Sequence, residues 1–159
     1  MIKKLSARWL NDQGACREGV EAFKAQKETD PIKIIQQLAD SSDPEEQAWA
    51  NWLIVRIMTR KQCVAYSVFA AEQALKNYED IYPDDKRPRE AIEAAKAYLK
   101  SPSAKTRSAA WSAEFAAEFA AEFAARFAGS AAESAAWSAE SAMLKKILTY
   151  GIKILKDAQ

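Results

Sequence analysis

Asp84 to Glu90 read DDKRPRE, a dense run of charge around a proline that is suited to begin a helix. A helix start exposes backbone N–H groups, and Lys86, Arg87 and Arg89 beside them would add charged donors. The chemistry open to such a cluster is capture of a phosphate or a carboxylate. Asp84 and Asp85 support a second reading, internal neutralisation, in which they cap the helix and pair with the arginines. Asp85, Lys86, Arg87 and Arg89 are the candidate binding residues of this stretch, and both readings stand at the level of sequence.

A second group lies upstream. Trp49, Trp52 and Arg56 share one predicted helix; Arg56 and Arg60 would be additional anion contacts, and Trp49, Trp52 and Trp111 would stack on a flat base. Tryptophans at helical spacing also serve as core residues, with Arg56 and Arg60 at the surface. Further along, EFAAEFAAEFAARFA sets Phe115, Phe119, Phe123 and Phe127 four residues apart, continuing from Trp111. On an α-helix that spacing drifts by about 40° per step, so the rings form an inclined ridge flanked by alanines. Two such ridges interdigitate at roughly −50°, and a long parallel coiled coil is disfavoured. Glu114, Glu118, Glu122 and Arg126 follow behind the rings. They face water, or two of the glutamates line a polar cleft; Glu118 is the candidate binding residue of that row.

Several chemistries are missing. The chain has no histidine, which removes the commonest proton shuttle, the usual serine and cysteine triads and most catalytic zinc sites. None of the four glycines falls in a phosphate-cradling motif. Cys16 and Cys63 are far apart and form no CxxC, so neither a disulfide framework nor a metal centre is expected, and a reducing cytoplasm fits. With 23 basic and 22 acidic side chains there is no general footprint for a nucleic acid polymer. The opening MIKKLSARWL lacks the continuous apolar stretch of a signal peptide, and no segment reaches the roughly 18 to 20 apolar residues of a membrane span. No enzyme activity and no cofactor are expected.

The elements that would position these groups are all helices. Gln13 to Gln26 puts Cys16, Val20 and Phe23 on one face. Asp30-Pro31 and Asp43-Pro44 each read as an N-cap followed by the first helical residue. The first opens a helix with Ile32, Ile35 and Leu38 inward. The second opens the helix of Trp49, Trp52, Leu53 and Ile57, with Glu45 and Glu46 favourably placed near the positive end of its dipole. Val64 to Tyr78 predicts a mostly buried helix, and Pro88 starts another with Ala91, Ile92, Ala95, Tyr98 and Leu99 inward. In LKKILTYGIKILKD, Leu144, Ile147, Leu148, Ile152 and Leu155 oppose Lys145, Lys146, Lys153 and Lys156, which suits a closing helix with a solvated lysine face or a membrane-surface helix. The expectation is an all-α, compact multi-helix bundle with obliquely crossing helices, one domain over residues 1–159, ending in a long alanine- and phenylalanine-rich helical part.

Gly14-Ala15-Cys16 with Glu18-Gly19-Val20 and Phe23, the Trp49/Trp52 helix, Asp85-Lys86-Arg87-Pro88-Arg89 with Ala91-Ile92-Glu93-Ala94-Ala95, and the alanine-rich tail together resemble the small helical immunity proteins of the Imm-5-like type. The D-x-R-P-R-x-A-I-E-x-A stretch is the most specific part. The resemblance implies a non-catalytic binding protein working in conflict between bacteria or between phage and host. It would sequester a small anionic or nucleotide-like signal or mask a defence protein; alternatively, it would neutralise a toxin through a protein interface. No membrane is implied as partner, and a homo-oligomer is compatible with the alanine-rich surface.

The phenylalanine ridge carries its own test. If its rings are core, Phe119→Ala lowers the unfolding free energy by about 3 to 5 kcal/mol in chemical denaturation. A loss below about 0.5 kcal/mol places the ring at a surface.

Overall fold

Aspartate followed by proline opens two helices of this protein, and in both the aspartate side chain supplies what the proline ring leaves undone. The computed structural model describes residues 4–103 and 133–157, the last helix with side chains from residue 141 onward. Asp30 accepts hydrogen bonds from the backbone N–H groups of Ile32 at 2.8 Å and Lys33 at 3.2 Å. Pro31 occupies the first turn, where its missing N–H costs nothing. Asp43 caps the next helix through Glu45 N at 2.9 Å, and Glu45 and Glu46 fill that helix's first turn.

Among the described residues there are seven helices and no strand: α1 (Ala7–Asp12), α2 (Arg17–Ala25), α3 (Pro31–Asp40), α4 (Pro44–Ile57), α5 (Arg60–Ile81), α6 (Arg87–Lys100) and α7 (Glu133–Lys156). The expected all-α class is what the structure has. The chain divides into two compact units, one of Met1–Thr59 with Leu148–Gln159 and the other of Arg60–Ile147. Trp111, the row from Phe115 to Phe127 and Glu118 lie outside the described residues.

In the first unit α1 packs on α2 and α3 on α4. Ile35 and Ile54 are fully buried, as are Leu148 and Leu155 near the end of α7. Each such side chain contributes on the order of 1.5 to 3 kcal/mol by leaving water. Lys145, Lys146, Lys153 and Lys156 are exposed along α7, so the closing-helix reading of this segment matches the burial. No described helix is long and apolar enough to cross a membrane. In the second unit Val64, Val68 and Ala71 of α5 meet Ile92, Ala95 and Tyr98 of α6, with Leu75, Ala91 and Leu99 packed at the margin. Both inward faces are the ones the spacing predicts.

The helix expected over Gln13 to Gln26 is shorter, and α1 precedes it. Ser6 caps α1, its hydroxyl accepting from Trp9 N at 3.2 Å. At the other end Gly14 takes φ +77°, the left-handed conformation that glycine adopts without a Cβ penalty. Gly14 N donates to the Asn11 carbonyl at 2.9 Å and Ala15 N to the Leu10 carbonyl at 3.0 Å, the paired bonds of a Schellman ending. The chain then turns directly into α2, whose N-cap is Cys16: its Sγ accepts from Gly19 N at 3.3 Å. The Gly-Ala-Cys sequence is therefore a reversal between two helices and not the start of one.

A Cβ on Gly14 would meet nothing within 4 Å, so the cost of Gly14→Ala is that of the backbone alone. Thermal or denaturant unfolding of Gly14→Ala is expected to show a loss of roughly 1 to 2 kcal/mol. Gly14→Asn is expected to lose less, because asparagine tolerates this conformation; equal losses would contradict the assignment.

Candidate functional site

The DDKRPRE turn is closed by its own carboxylates. α5 ends at Ile81 and the chain reverses through Tyr82 to Lys86, with Asp85 N donating to the Tyr82 carbonyl at 3.2 Å. Asp85 then receives three groups. The Tyr78 hydroxyl donates to it at 2.7 Å, the Arg87 backbone N–H at 3.1 Å, and the Arg87 guanidinium binds it in bidentate fashion at 2.8 and 2.5 Å. Arg89 makes an equivalent fork with Glu79 of α5 at 2.7 and 2.5 Å. Lys86 donates to the Pro83 carbonyl. Further along α6, Lys96 bridges Glu72 of α5 at 2.9 Å and Glu93 at 2.7 Å.

The titration behaviour follows from these bonds. Arg87, then the Tyr78 hydroxyl, hold the Asp85 carboxyl far below the usual aspartate range, while Asp85 pushes Arg87 up. Tyr78 is raised because its proton is bound to Asp85, and Glu79 is lowered by Arg89. Of the pairing that internal neutralisation calls for, Asp85 with Arg87 is present, while Arg89 is paired by Glu79 of α5 and not by an aspartate of the turn. Asp85 supplies the cap through the Arg87 N–H.

Trp49 and Trp52 sit elsewhere, in the first unit. Both line a cavity of about 570 Å³ whose walls come from α1, α2, α3 and α4 and from the turn between the first two helices. Leu5, Leu10, Phe23, Leu38 and Leu53 add apolar side chains to its wall. Gly19 faces α4: a Cβ there would lie 3.9 Å from the Trp49 ring, an ordinary contact, and a tighter 3.3 Å from Cys16 Sγ. Arg56 is not part of the wall. Its guanidinium lies 3.8 Å from the Trp52 ring centroid and donates to the Trp52 carbonyl at 3.0 Å, and partial burial lowers its pKa. Among the described residues, the ionisable acid in the wall besides the Cys16 thiol is Glu46, and no base lines it.

The residues singled out in sequence thus fall into two groups. Asp85, Lys86, Arg87 and Arg89 come together in one unit; Trp49, Trp52 and Arg56 come together in the other. Glu118 lies outside the described residues. The contributions of Leu5, Leu10 and Glu46 to the cavity went unrecognised in sequence, because they arrive from separate segments. Gly19 held a partial signal: glycine inside a helix weakens it by roughly 0.5 to 1 kcal/mol relative to alanine, and here the tight neighbour is the capping Cys16 Sγ. Among the described residues no group of three or more histidine, cysteine, aspartate or glutamate side chains is placed to hold a metal ion.

Comparison with known families gives one match: residues 54–156 fit the family described as Imm-5 like putative immunity protein. The match begins within α4 and takes in the DDKRPRE turn; the Gly14-Ala15-Cys16 turn and both tryptophans precede it. No curated protein and no solved structure matches the chain.

Asp85 makes the turn's stability depend on pH. Its folded pKa lies below the unfolded value, so its stabilisation is full above the usual aspartate range and is lost as pH falls towards the folded value. In denaturation series, the margin of the wild type over Asp85→Asn is expected to be constant above about pH 5 and to shrink below about pH 4. A margin independent of pH would contradict the ionised triple contact.

Proposed function

This chain belongs to the Imm-5-like family of immunity proteins, and from that premise we propose that it neutralises a partner protein by binding it, in conflict between bacteria or between phage and host. It supplies surface and no bond-making chemistry, and it acts in the cytoplasm. Whether the partner is a toxin or a defence protein, the physical mode is the same, a protein interface.

The observation that carries this reading is the pairing of Arg87 with Asp85 and of Arg89 with Glu79. A phosphate or nucleotide at the turn would compete with two carboxylates already in bidentate contact with the guanidinium groups that would have to hold it. Among the described residues the tryptophan cavity has no basic residue in its wall, and a smaller cavity of about 380 Å³ sets Lys153 and Lys156 beside Asp40 and Asp157. Neither the turn nor the tryptophan cavity therefore offers a small anionic signal a cluster of uncommitted arginines. Protein interfaces instead take their energy from a few aromatic and apolar anchors that exclude water, and this chain presents such a set around Trp49 and Trp52.

Native mass spectrometry of the protein purified from the cells that produce it tests this directly. The expected species is this chain with one further polypeptide in fixed stoichiometry, unchanged by Arg87→Ala combined with Arg89→Ala where circular dichroism shows the helices intact. A nucleotide-sized adduct that the double variant loses would overturn the reading.

A further inference from the structure

We infer that the cavity of the first unit receives an aromatic or aliphatic side chain carried by a basic segment of the partner protein, with Glu46 as the counter-charge in its wall. The inference rests on the protein-binding reading and adds to it the place and the chemistry of contact.

Size and surface set the apolar part. About 570 Å³ exceeds what one large side chain needs, and Trp49, Trp52, Phe23 and Leu10 would desolvate it on several sides. Gly14, Ala22 and Ala48 are exposed lining residues, and their small size leaves room for another backbone to approach the mouth. A polypeptide uses that room; a free small molecule does not need it.

Charge sets the rest. Between Lys33 and Arg56 the chain carries Asp40, Asp43, Glu45 and Glu46 and no basic residue. Glu46 is half-buried, lines the cavity, and makes no hydrogen bond or ion pair among the described residues. Arg56, the one cation of α4, is turned to the Trp52 ring and carbonyl. Arg17, beside the cavity at the start of α2, is 3.4 Å from Glu18. An apolar anchor flanked by lysine or arginine would complement this mouth, and one flanked by acids would be repelled.

The test uses the full chain and three probes: a short peptide with a central phenylalanine flanked by lysines, the same peptide flanked by glutamates, and benzyltrimethylammonium. Calorimetry at low salt is expected to show binding of the lysine peptide alone, with the indole N–H signals of Trp49 and Trp52 shifting in nitrogen-correlated spectra. Glu46→Gln is expected to weaken it roughly five-fold, the range of a partly exposed charge pair. Ala22→Phe, which fills the cavity from an exposed helix position, is expected to abolish it without loss of helicity. Equal binding of both peptides, no binding of either, tighter binding of benzyltrimethylammonium, or a dimer that Ala22→Phe dissociates would each overturn the inference. If Ala22→Phe retains the native polypeptide partner, the inference fails while the protein-binding function stands. If the lysine peptide binds through Glu46 and no native partner polypeptide exists, the cavity assignment holds and the function fails.

Discussion

The Asp85 carboxylate is the contact on which the second unit's character depends. It accepts hydrogen bonds from the Tyr78 hydroxyl of α5, from a backbone N–H at the start of α6 and from the fork of Arg87, so one side chain joins the end of one helix to the beginning of the next. Surface ion pairs in isolation contribute about 0 to 1 kcal/mol, and this one is chiefly a matter of placement. The Arg87 side chain is 86% exposed, whereas Asp85 is only 19% exposed, so the acid is the fixed member and the guanidinium is held against it. The Glu79–Arg89 fork repeats the arrangement across ten residues of chain. Together they pair the two arginines of the stretch with carboxylates of the same unit.

Under the proposed protein-binding role, neutrality at that turn would leave recognition to apolar surface. The Imm-5-like match covers the turn and α5 to α7, while every lining residue of the cavity lies in the segment before the match begins. The two parts have different physical character: one holds its charges within itself, the other leaves a half-buried carboxylate beside aromatic walls. The proposed role calls for stable scaffolding and a place to anchor, and these features would supply one each.

Local chemistry was legible in the sequence because it acts over a few residues. Asp30-Pro31 and Asp43-Pro44 start their helices as their residue types require, and the inward faces of α5 and α6 follow the helical period. Gly14 was harder to place, since a glycine between two apolar-periodic stretches reads equally as a tolerated helix residue; the turn it makes depends on carbonyls of α1, a helix that the sequence pattern did not reveal. Charge partners across a loop are tertiary facts. Asp85 could be paired with Arg87 from spacing, whereas Tyr78 and Glu79 enter only once α5 and α6 are side by side. The cavity is the extreme case: Leu10, Gly19 and Glu46 belong to three helices, and their convergence on Trp49 is a product of packing.

The central claim is that the arginines of the turn are occupied by the protein's own carboxylates, and the guanidinium Nε–H signals of Arg87 and Arg89 report on it most directly. In nitrogen-correlated spectra both are predicted to be resolved, slow to exchange with water and unmoved by millimolar inorganic phosphate or nucleotide. Rapidly exchanging signals that shift in a saturable way with either anion would contradict the account.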